Sequence, residues 1–267
     1  MKQRFGLATC FYPDSSPERW KTAAEGGFTH GEIDTNNSLD TDAICQESQK
    51  VYDDLKAGGI QPTSLHLPFG TQWDISAVDE TFRTKILEEL KTLIRWSGER
   101  QIPIVILHPS FEPIADEERP ARMAAAVDSI QKLGAFAKEQ GVQVAVENLP
   151  RTCLGNCGEE MLVLTGNGEY AGICFDVNHL LQETHRDFVA KTGPYLITTH
   201  LSDYDRINER HWLPGDGCID WQELRQLLEG CGYSGRYLFE LGENASPSLG
   251  RPFTPAELLE RFQQIFC

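Results

Sequence analysis

The chain has 267 residues, of which 40% are hydrophobic and 24% are charged. This composition can bury a sizeable core and excludes a disordered or collagen-like chain, and the length suits one α/β barrel of about 250 residues. The 24 basic and 40 acidic residues give a net charge of −16. A field of that sign opposes binding to a phosphate backbone, so we expect no nucleic-acid partner.

Eight short apolar segments, spread along the whole chain, are predicted to be β-strands. They are residues 4–11, 30–35, 63–67, 104–108, 142–147, 172–176, 195–201 and 236–241. Each lacks the strict alternation of a half-exposed strand, and most precede a segment of helical periodicity, as expected for parallel strands buried on both faces. Eight strand–helix units predict a closed (β/α)8 TIM barrel. Because no linker or composition break interrupts them, we expect a single domain over residues 1–267.

Helical segments between the strands show apolar spacing of three and four residues. The two clearest sets are Phe82, Ile86, Leu90 and Leu93, and Met123, Val127, Ile130 and Ala137. Asp220 and Thr254 each precede a Glu by three residues, which predicts two capped helix starts. The longest insertions follow predicted strands, at residues 69–79, 111–120 and 203–217.

The eight cysteines are spread thinly, unlike the disulfide framework of a small secreted domain, so we expect reduced thiols. Cys153 and Cys157 have the spacing of neither a zinc knuckle nor a redox pair. No signal-peptide core follows the first residues, and no stretch approaches the roughly 18 apolar residues of a membrane span. We therefore expect a cytoplasmic location without a membrane partner. The sequence leaves the oligomeric state open, a homo-oligomer included.

Titratable residues end six of the predicted strands. They are His66, His108, Glu147, Asp176, His200 and Glu240. One such residue alone is more often a core or solvated group, but five of the seven histidines lie at or just beyond strand ends, where a parallel barrel places its mouth. This convergence predicts a metal site. Mixed imidazole and carboxylate ligands suit Mn, Co, Zn, Fe or Mg, and the lack of a Cys pair there argues against a structural zinc.

These motifs resemble those of the xylose isomerase-like barrel superfamily. The matching segments are Glu147-Asn148-Leu149-Pro150, Asp176-Val177-Asn178-His179, His200-Leu201-Ser202-Asp203, Glu209-Arg210-His211, Pro214-Gly215-Asp216-Gly217 and Phe239-Glu240. The superfamily includes sugar phosphate isomerases and epimerases, ketose 3-epimerases, inosose dehydratases and endonuclease IV. The resemblance covers nearly the whole chain and implies the same barrel.

The resemblance implies that Glu147, Asp176, His200 and Glu240 hold one divalent metal ion. It also implies that Glu147 and Glu240 act as base and acid on opposite faces of a sugar, and that His179 contacts a substrate oxygen. The implied function is a metal-dependent sugar, sugar phosphate or keto-inositol isomerase or epimerase working through an enediolate. A bound divalent ion would acidify the proton beside a carbonyl, and a positioned carboxylate would remove it.

Two alternative reactions remain open. An inosose dehydratase-like lyase would eliminate a hydroxyl from the same enolate. An endonuclease IV-like metallo-phosphodiesterase would use His66, His108 and the triplet ending at His211 as further zinc ligands, although that branch has Asp where this chain has Glu209. The net charge disfavours the endonuclease. A sugar-binding module without activity is a third possibility, but it would give the two positioned carboxylates, Glu147 and Glu240, no role.

Further side chains are candidates for substrate contacts. Arg151 and Arg210 could bind a phosphate, a carboxylate or sugar hydroxyls. Trp73 and Trp212 could form an apolar wall for a sugar. Of Glu32 and Asp34, we expect one to face the mouth and the other to be structural. The predicted substrate-binding residues are His66, His108, His179, Arg151, Glu209, Arg210, His211 and Trp212.

Overall fold

The computed structural model describes residues 4–266, which form eight parallel strands closed into one barrel. The strands are β1 (Phe5–Ala8), β2 (His30–Asp34), β3 (Gln61–His66), β4 (Ile104–Leu107), β5 (Gln143–Glu147), β6 (Gly172–Asp176), β7 (Leu196–Leu201) and β8 (Tyr237–Phe239). They pair in chain order, and β8 closes the barrel against β1. The eight predicted strands and the (β/α)8 barrel are confirmed. The predicted domain limits at residues 1 and 267 lie outside the described residues.

One α-helix follows each strand. The helices are α1 (Pro17–Glu25), α2 (Thr41–Ala57), α3 (Glu80–Glu99), α4 (Arg119–Glu139), α5 (Gly158–Thr165), α6 (His185–Thr192), α7 (Trp221–Gly230) and α8 (Pro255–Phe266). In α3 the predicted apolar face buries Ile86, Leu90 and Leu93, whereas Phe82 at its start is partly exposed. The helices thus cover the outside of the strands, and their apolar faces form the main core.

Side-chain caps fix the two helix starts that the sequence predicts. The Asp220 carboxylate accepts a hydrogen bond from the Glu223 N–H at the start of α7. At α8, Thr254 Oγ1 accepts from the Glu257 N–H (3.2 Å), and the Glu257 carboxylate accepts from the Thr254 N–H (2.8 Å). Such reciprocal bonds satisfy N–H groups that a helix start leaves free.

The β1 segment is shorter than predicted. The apolar run continues to Phe11, but the chain leaves the sheet after Ala8 and forms a 3-10 turn over Thr9–Phe11. Phe11 is nevertheless fully buried, because it packs into the core from the turn. Burial alone therefore produced an apolar pattern that does not require a strand.

The structure also describes the state of the cysteines and the length of the helices. The seven cysteines between residues 4 and 266 are all free. In the same part of the chain, none of the helices is long and apolar enough to span a membrane.

Candidate functional site

Four polar side chains meet at the carboxyl ends of four consecutive strands, β5 to β8. Glu147 ends β5, Asp176 ends β6, His200 lies in β7, and Glu240 directly follows β8. His200 Nδ1 lies 3.1 Å from Glu147 Oε1, 3.2 Å from Glu240 Oε2 and 4.0 Å from Asp176 Oδ2. One ligand atom from each of the four residues lies within 4.8 Å of the others. The fold thus brings the predicted ligand set together around one imidazole nitrogen.

This cluster has the chemistry of a divalent cation site. Asp176 Oδ2 and Glu240 Oε2 are buried and make no hydrogen bond with any described residue. A buried carboxylate oxygen without a partner costs free energy that a bound cation would offset. Three carboxylates and one imidazole are also ligands that Mn, Co, Zn and Fe accept. Glu147, Asp176, His200 and Glu240 therefore fit one such ion.

Burial and neighbouring charges together set the pKa of each of these carboxylates. Burial raises the pKa of all three, but His200 and His108 outweigh it at Glu147, and His200 outweighs it at Glu240, so both pKa values fall below the ordinary value. At Asp176 burial prevails, and the Glu240 and Glu147 carboxylates add to it, so the pKa is raised well above the ordinary value. Ionising all three carboxylates together requires added positive charge, which a divalent ion supplies.

Three of the histidines around the cluster are fixed by backbone carbonyls. The contacts are His66 Nδ1 with Leu67 O (2.9 Å), His179 Nδ1 with Asn148 O (3.0 Å) and His211 Nδ1 with Glu240 O (3.1 Å). Because a carbonyl only accepts hydrogen bonds, each Nδ1 must carry the proton. Each Nε2 is then directed away from the backbone, where it can donate if the ring is charged or accept if it is neutral.

His66 and His108 converge on the same oxygen of Glu147. Their Nε2 atoms lie 3.2 Å and 3.1 Å from Glu147 Oε2. Burial opposes charge on His66, but the Glu147 carboxylate outweighs it and raises the pKa of His66 to about 9. Burial lowers the pKa of His108. Glu147 therefore faces His200 through one oxygen and two further imidazoles through the other.

A cavity of about 190 Å³ opens above the cluster. Glu147 and Glu240 line it, whereas Asp176 and His200 do not and are fully buried. Phe69 and Phe111, which begin two of the predicted insertions, supply aromatic lining, and the Phe69 ring stacks on His108 with centroids 4.4 Å apart. This volume is that of roughly six water molecules in the liquid, so the cavity suits a small ligand.

The aromatic wall is not the one expected from the sequence. Trp73 is buried in the core, and Trp212 lies outside the cavity lining, with the Arg210 guanidinium 5.6 Å from its ring. Arg210 also lies outside the lining and bonds Asp205 (2.8 Å). The local contacts of the β7–α7 loop hold Arg210 and Trp212 away from the cavity, a placement that the sequence pattern does not reveal. The phenylalanines were missed because isolated loop aromatics carry no periodic signal.

Arg151 ties together three loops at the cavity edge. Its Nε donates to Glu112 Oε1 (2.6 Å), Nη1 to Asn208 Oδ1 (2.7 Å) and Nη2 to Glu209 Oε1 (3.0 Å). Burial raises the pKa of Glu112, but Arg151 outweighs it and the net shift is downward. Glu209 also approaches His179 Nε2 with its second oxygen (3.4 Å). The guanidinium is therefore committed to protein partners on all three nitrogens.

The Pro-Gly-x-Gly motif shapes the loop that carries Glu209 and His211. The buried Asp203 carboxylate accepts from the Gly215 N–H (2.8 Å) and from Trp221 Nε1 (3.0 Å). A Cβ on Gly217 would lie 2.2 Å from the Tyr204 carbonyl oxygen, so this close approach needs glycine. The motif therefore has a structural role in the loop.

Glu32 and Asp34 occupy different environments. Asp34 accepts hydrogen bonds from Thr9 Oγ1 (2.9 Å) and from the Cys10 N–H (2.6 Å), which ties the start of the β1–α1 loop to β2. Glu32 is fully buried, and its Oε1 lies 2.9 Å from His200 Nε2. The carboxylate that faces the polar cluster is therefore that of Glu32.

Known proteins of similar sequence match a large part of the chain. An uncharacterized protein of Methanocaldococcus jannaschii is 23% identical over 248 residues, covering 88% of this chain and 82% of the relative. Inosose dehydratase 1 of Bacillus cereus is 25% identical over 173 residues, covering 57% of this chain and 56% of the relative. Both identities are low, so they do not by themselves transfer an activity.

Two solved structures of carbohydrate epimerases superpose over almost the whole chain. D-Psicose 3-epimerase from Clostridium cellulolyticum H10, solved with D-tagatose, gives a TM-score of 0.77 at 17% identity and covers 99% of both chains. The 3-keto-D-glucoside 4-epimerase of E. coli gives 0.75 at 18% identity, with 98% of this chain and 99% of the other covered. The model of the xylose isomerase-like TIM barrel family matches residues 20–262, and the chain belongs to that family.

Proposed function

We propose that the protein is a divalent-metal-dependent isomerase or epimerase of a small unphosphorylated sugar or keto-inositol. The observation that carries this proposal is the different position of two pairs of residues within the four-residue cluster. Glu147 and Glu240 both line the cavity, while Asp176 and His200 lie beneath it. Two carboxylates from separate strands can therefore reach a bound molecule, as a proton transfer between two faces of one carbon requires.

The chain's own residues supply the acid, the base and the binding contacts. The ion held by Glu147, Asp176, His200 and Glu240 would polarise the substrate carbonyl and lower the barrier to enediolate formation. One of Glu147 and Glu240 removes the proton beside the carbonyl, and the other returns a proton to the opposite face. His179 and His211 bind substrate hydroxyls through Nε2, and Phe69 packs against the apolar face of the sugar.

The similar proteins support carbohydrate chemistry. The superposed structures are of a D-psicose 3-epimerase and a 3-keto-D-glucoside 4-epimerase, and one sequence relative is an inosose dehydratase. All three names describe reactions at or beside a carbonyl of a polyhydroxylated ring or chain. Elimination of a hydroxyl, as in a dehydratase, would use the same first proton transfer. A lyase is therefore the variant of this proposal that differs only after the enediolate forms.

The charges of the cavity favour an uncharged substrate. Four glutamates line it, at positions 112, 147, 209 and 240. Among its described lining residues, Arg151 is the one Arg or Lys, and its three nitrogens already bond protein oxygens. The protonated His66 also lines the cavity, but Asp176 beneath it adds a fifth carboxylate. A divalent ion, Arg151 and His66 together therefore leave no surplus positive charge for a phosphate ester.

A second candidate function, metal-dependent hydrolysis of a phosphodiester, rests on the surrounding histidines. Three further groups of side chains could hold an ion, namely His66, His108 and Glu147; Asp176, His179 and His211; and His66, His200 and Glu240. The first two each share one carboxylate with the four-residue cluster, and the third shares His200 and Glu240, so a multinuclear centre is geometrically possible. The net charge of −16 opposes a nucleic-acid substrate. One ion per chain by elemental analysis favours the sugar reaction, and three favour hydrolysis.

Solvent exchange tests the proposed mechanism. A sugar turned over by the wild-type protein in heavy water should exchange the proton that is lost during epimerisation. Glu147→Gln and Glu240→Gln should each lower turnover by about 100-fold or more, the usual contribution of general acid–base catalysis. One of the two variants should still exchange the proton of one epimer without interconverting the pair. If both variants bind metal and keep near-normal turnover, the two carboxylates are ligands only, and the mechanism is wrong.

A further inference from the structure

His200 stands between two sets of carboxylates, and its two ring nitrogens face different ones. Nδ1 faces the metal-binding carboxylates, with Glu147 Oε1 at 3.1 Å and Glu240 Oε2 at 3.2 Å. Nε2 faces Glu32 Oε1 at 2.9 Å on the other side of the ring. Nε2 and Oε1 make no hydrogen bond with any other described residue that would satisfy them. The orientation of His200 is thus the reverse of that of His66, His179 and His211, which are held through Nδ1.

Glu32 has no other evident task in the barrel. It lies in the middle of β2 and is fully buried. Its second oxygen, Oε2, accepts a hydrogen bond from Ser64 Oγ (2.6 Å), and Ser64 is its register partner on β3. This bond anchors one oxygen and leaves Oε1 directed at His200. Because a buried carboxylate is costly unless it is paired, a role for Glu32 must come from what Oε1 contacts.

A metal-binding imidazole needs a lone pair on the nitrogen that faces the ion. If Nε2 carries the proton and donates to a carboxylate, Nδ1 is left as the basic nitrogen, and the ring cannot rotate without breaking that contact. Ligating histidines commonly donate their other N–H to a carboxylate in this way. The geometry at Glu32 and His200 meets this requirement.

We propose that Glu32 is a positioning residue that holds the His200 ring with Nε2–H toward β2 and the Nδ1 lone pair toward Glu147, Asp176 and Glu240. The inference rests on the proposed metal function, because it assigns a role toward the ion that those residues would hold. It predicts that the ion binds Nδ1 of His200, and that Glu32 raises the affinity for the ion without touching it.

Cobalt binding by the full-length protein tests the proposal, since Co²⁺ reports its affinity and coordination through visible absorption. In Glu32→Ala we expect affinity about 10-fold to 100-fold weaker and a changed spectrum, the usual consequence of losing a carboxylate behind a ligating histidine. Glu32→Gln keeps an oxygen that can accept from Nε2–H and an amide that can bond Ser64. This variant should bind within about threefold to fivefold of wild type and show the wild-type spectrum.

Asp34→Asn is the matched control, because it removes a carboxylate two positions along the same strand whose bonds are to Thr9 and Cys10. It should bind Co²⁺ as wild type does. If Glu32→Ala also retains wild-type affinity and spectrum, the positioning role is wrong while the metal site stands. If wild type itself fails to bind Co²⁺, the proposed function falls, and this inference falls with it.

A measurement on the wild-type protein covers the case in which Glu32→Ala does not fold. Histidine ¹⁵N–¹H spectra of the Zn²⁺-loaded protein distinguish a ring bound through Nδ1 from one bound through Nε2. We expect the resonance lost in His200→Gln to belong to a ring with metal-bound Nδ1 and protonated Nε2. Zinc bound to Nε2 of that ring would overturn the proposal.

Discussion

Protonation of His185 should destabilise the barrel at mildly acidic pH. His185 begins α6 and is buried, and its Nε2 lies 2.8 Å from the carbonyl oxygen of Val177, so this nitrogen carries the proton in the neutral ring. Val177 directly follows Asp176, one of the proposed metal ligands, and the bond thus secures the turn after β6. Burial lowers the pKa of His185 to about 4, even though this hydrogen bond favours the charged ring.

The sign and size of the effect follow from the two pKa values. An unfolded histidine has a pKa of about 6.5, so between pH 6.5 and 4 the unfolded chain binds more protons at this position than the folded one. The stability that comes from keeping His185 neutral is therefore fully present above pH 6.5 and is lost as the pH falls toward 4. The loss reaches about 2 kcal/mol at pH 5 and about 3 kcal/mol below pH 4, since one pKa unit is worth about 1.4 kcal/mol.

Urea denaturation at pH 7.5 and pH 5 measures this loss. We compare wild type with His185→Gln, whose amide can still donate to the Val177 carbonyl, and add a chelator so that metal binding does not contribute. Other titrating groups are common to both proteins and cancel in the difference. Wild type should lose about 2 kcal/mol more than the variant between the two pH values. An equal loss in both proteins would show that His185 is not held neutral by burial.

Three further substitutions test the site. Asp176→Asn should raise the Kd for Mn²⁺ or Co²⁺ by about 100-fold or more in equilibrium dialysis, because it removes a charged ligand, whereas Asp205→Asn on the nearby loop should not. Phe69→Ala should raise KM about threefold to tenfold with little change in kcat, since an aromatic packing contact is worth about 0.5–1.5 kcal/mol, and a fall in kcat alone would contradict that role. Glu209→Gln should shift the preference between a neutral sugar and its phosphate ester about fivefold to thirtyfold toward the ester. This is the effect expected from removing one charge about 8 Å from a phosphate of charge about −1 to −2 at an effective dielectric of about 40. An unchanged preference would refute the charge argument.

The barrel and the four-residue cluster could be predicted because both leave local signals. Parallel strands buried on both faces are continuous apolar runs, and a titratable residue that ends such a run stands at the mouth. Glu147 and Asp176 end β5 and β6, and His200 lies one residue before the end of β7. Glu240 directly follows β8, which spans three residues in the structure, yet the rule still places it correctly.

The rest of the site depends on tertiary contacts that leave no local signal. Phe69 and Glu112 are loop residues whose positions are set by their contacts with His108 and Arg151. The direction of a loop side chain such as Trp212 is likewise set by local loop contacts. The place of Glu32 beside His200 depends on the closure of the barrel, which brings β2 and β7 to face one another across its interior.

Proton exchange in heavy water is the most direct test of metal-dependent enediolate chemistry in this protein. The metal-loaded protein is incubated with a panel of unphosphorylated ketoses and keto-inositols in deuterium oxide, and the products are followed by NMR. At least one sugar should gain deuterium at the carbon beside its carbonyl as its epimer or isomer appears, and chelation of the metal should abolish both the exchange and the conversion. Absence of exchange with every sugar, together with metal-dependent cleavage of a phosphodiester, would contradict this chemistry.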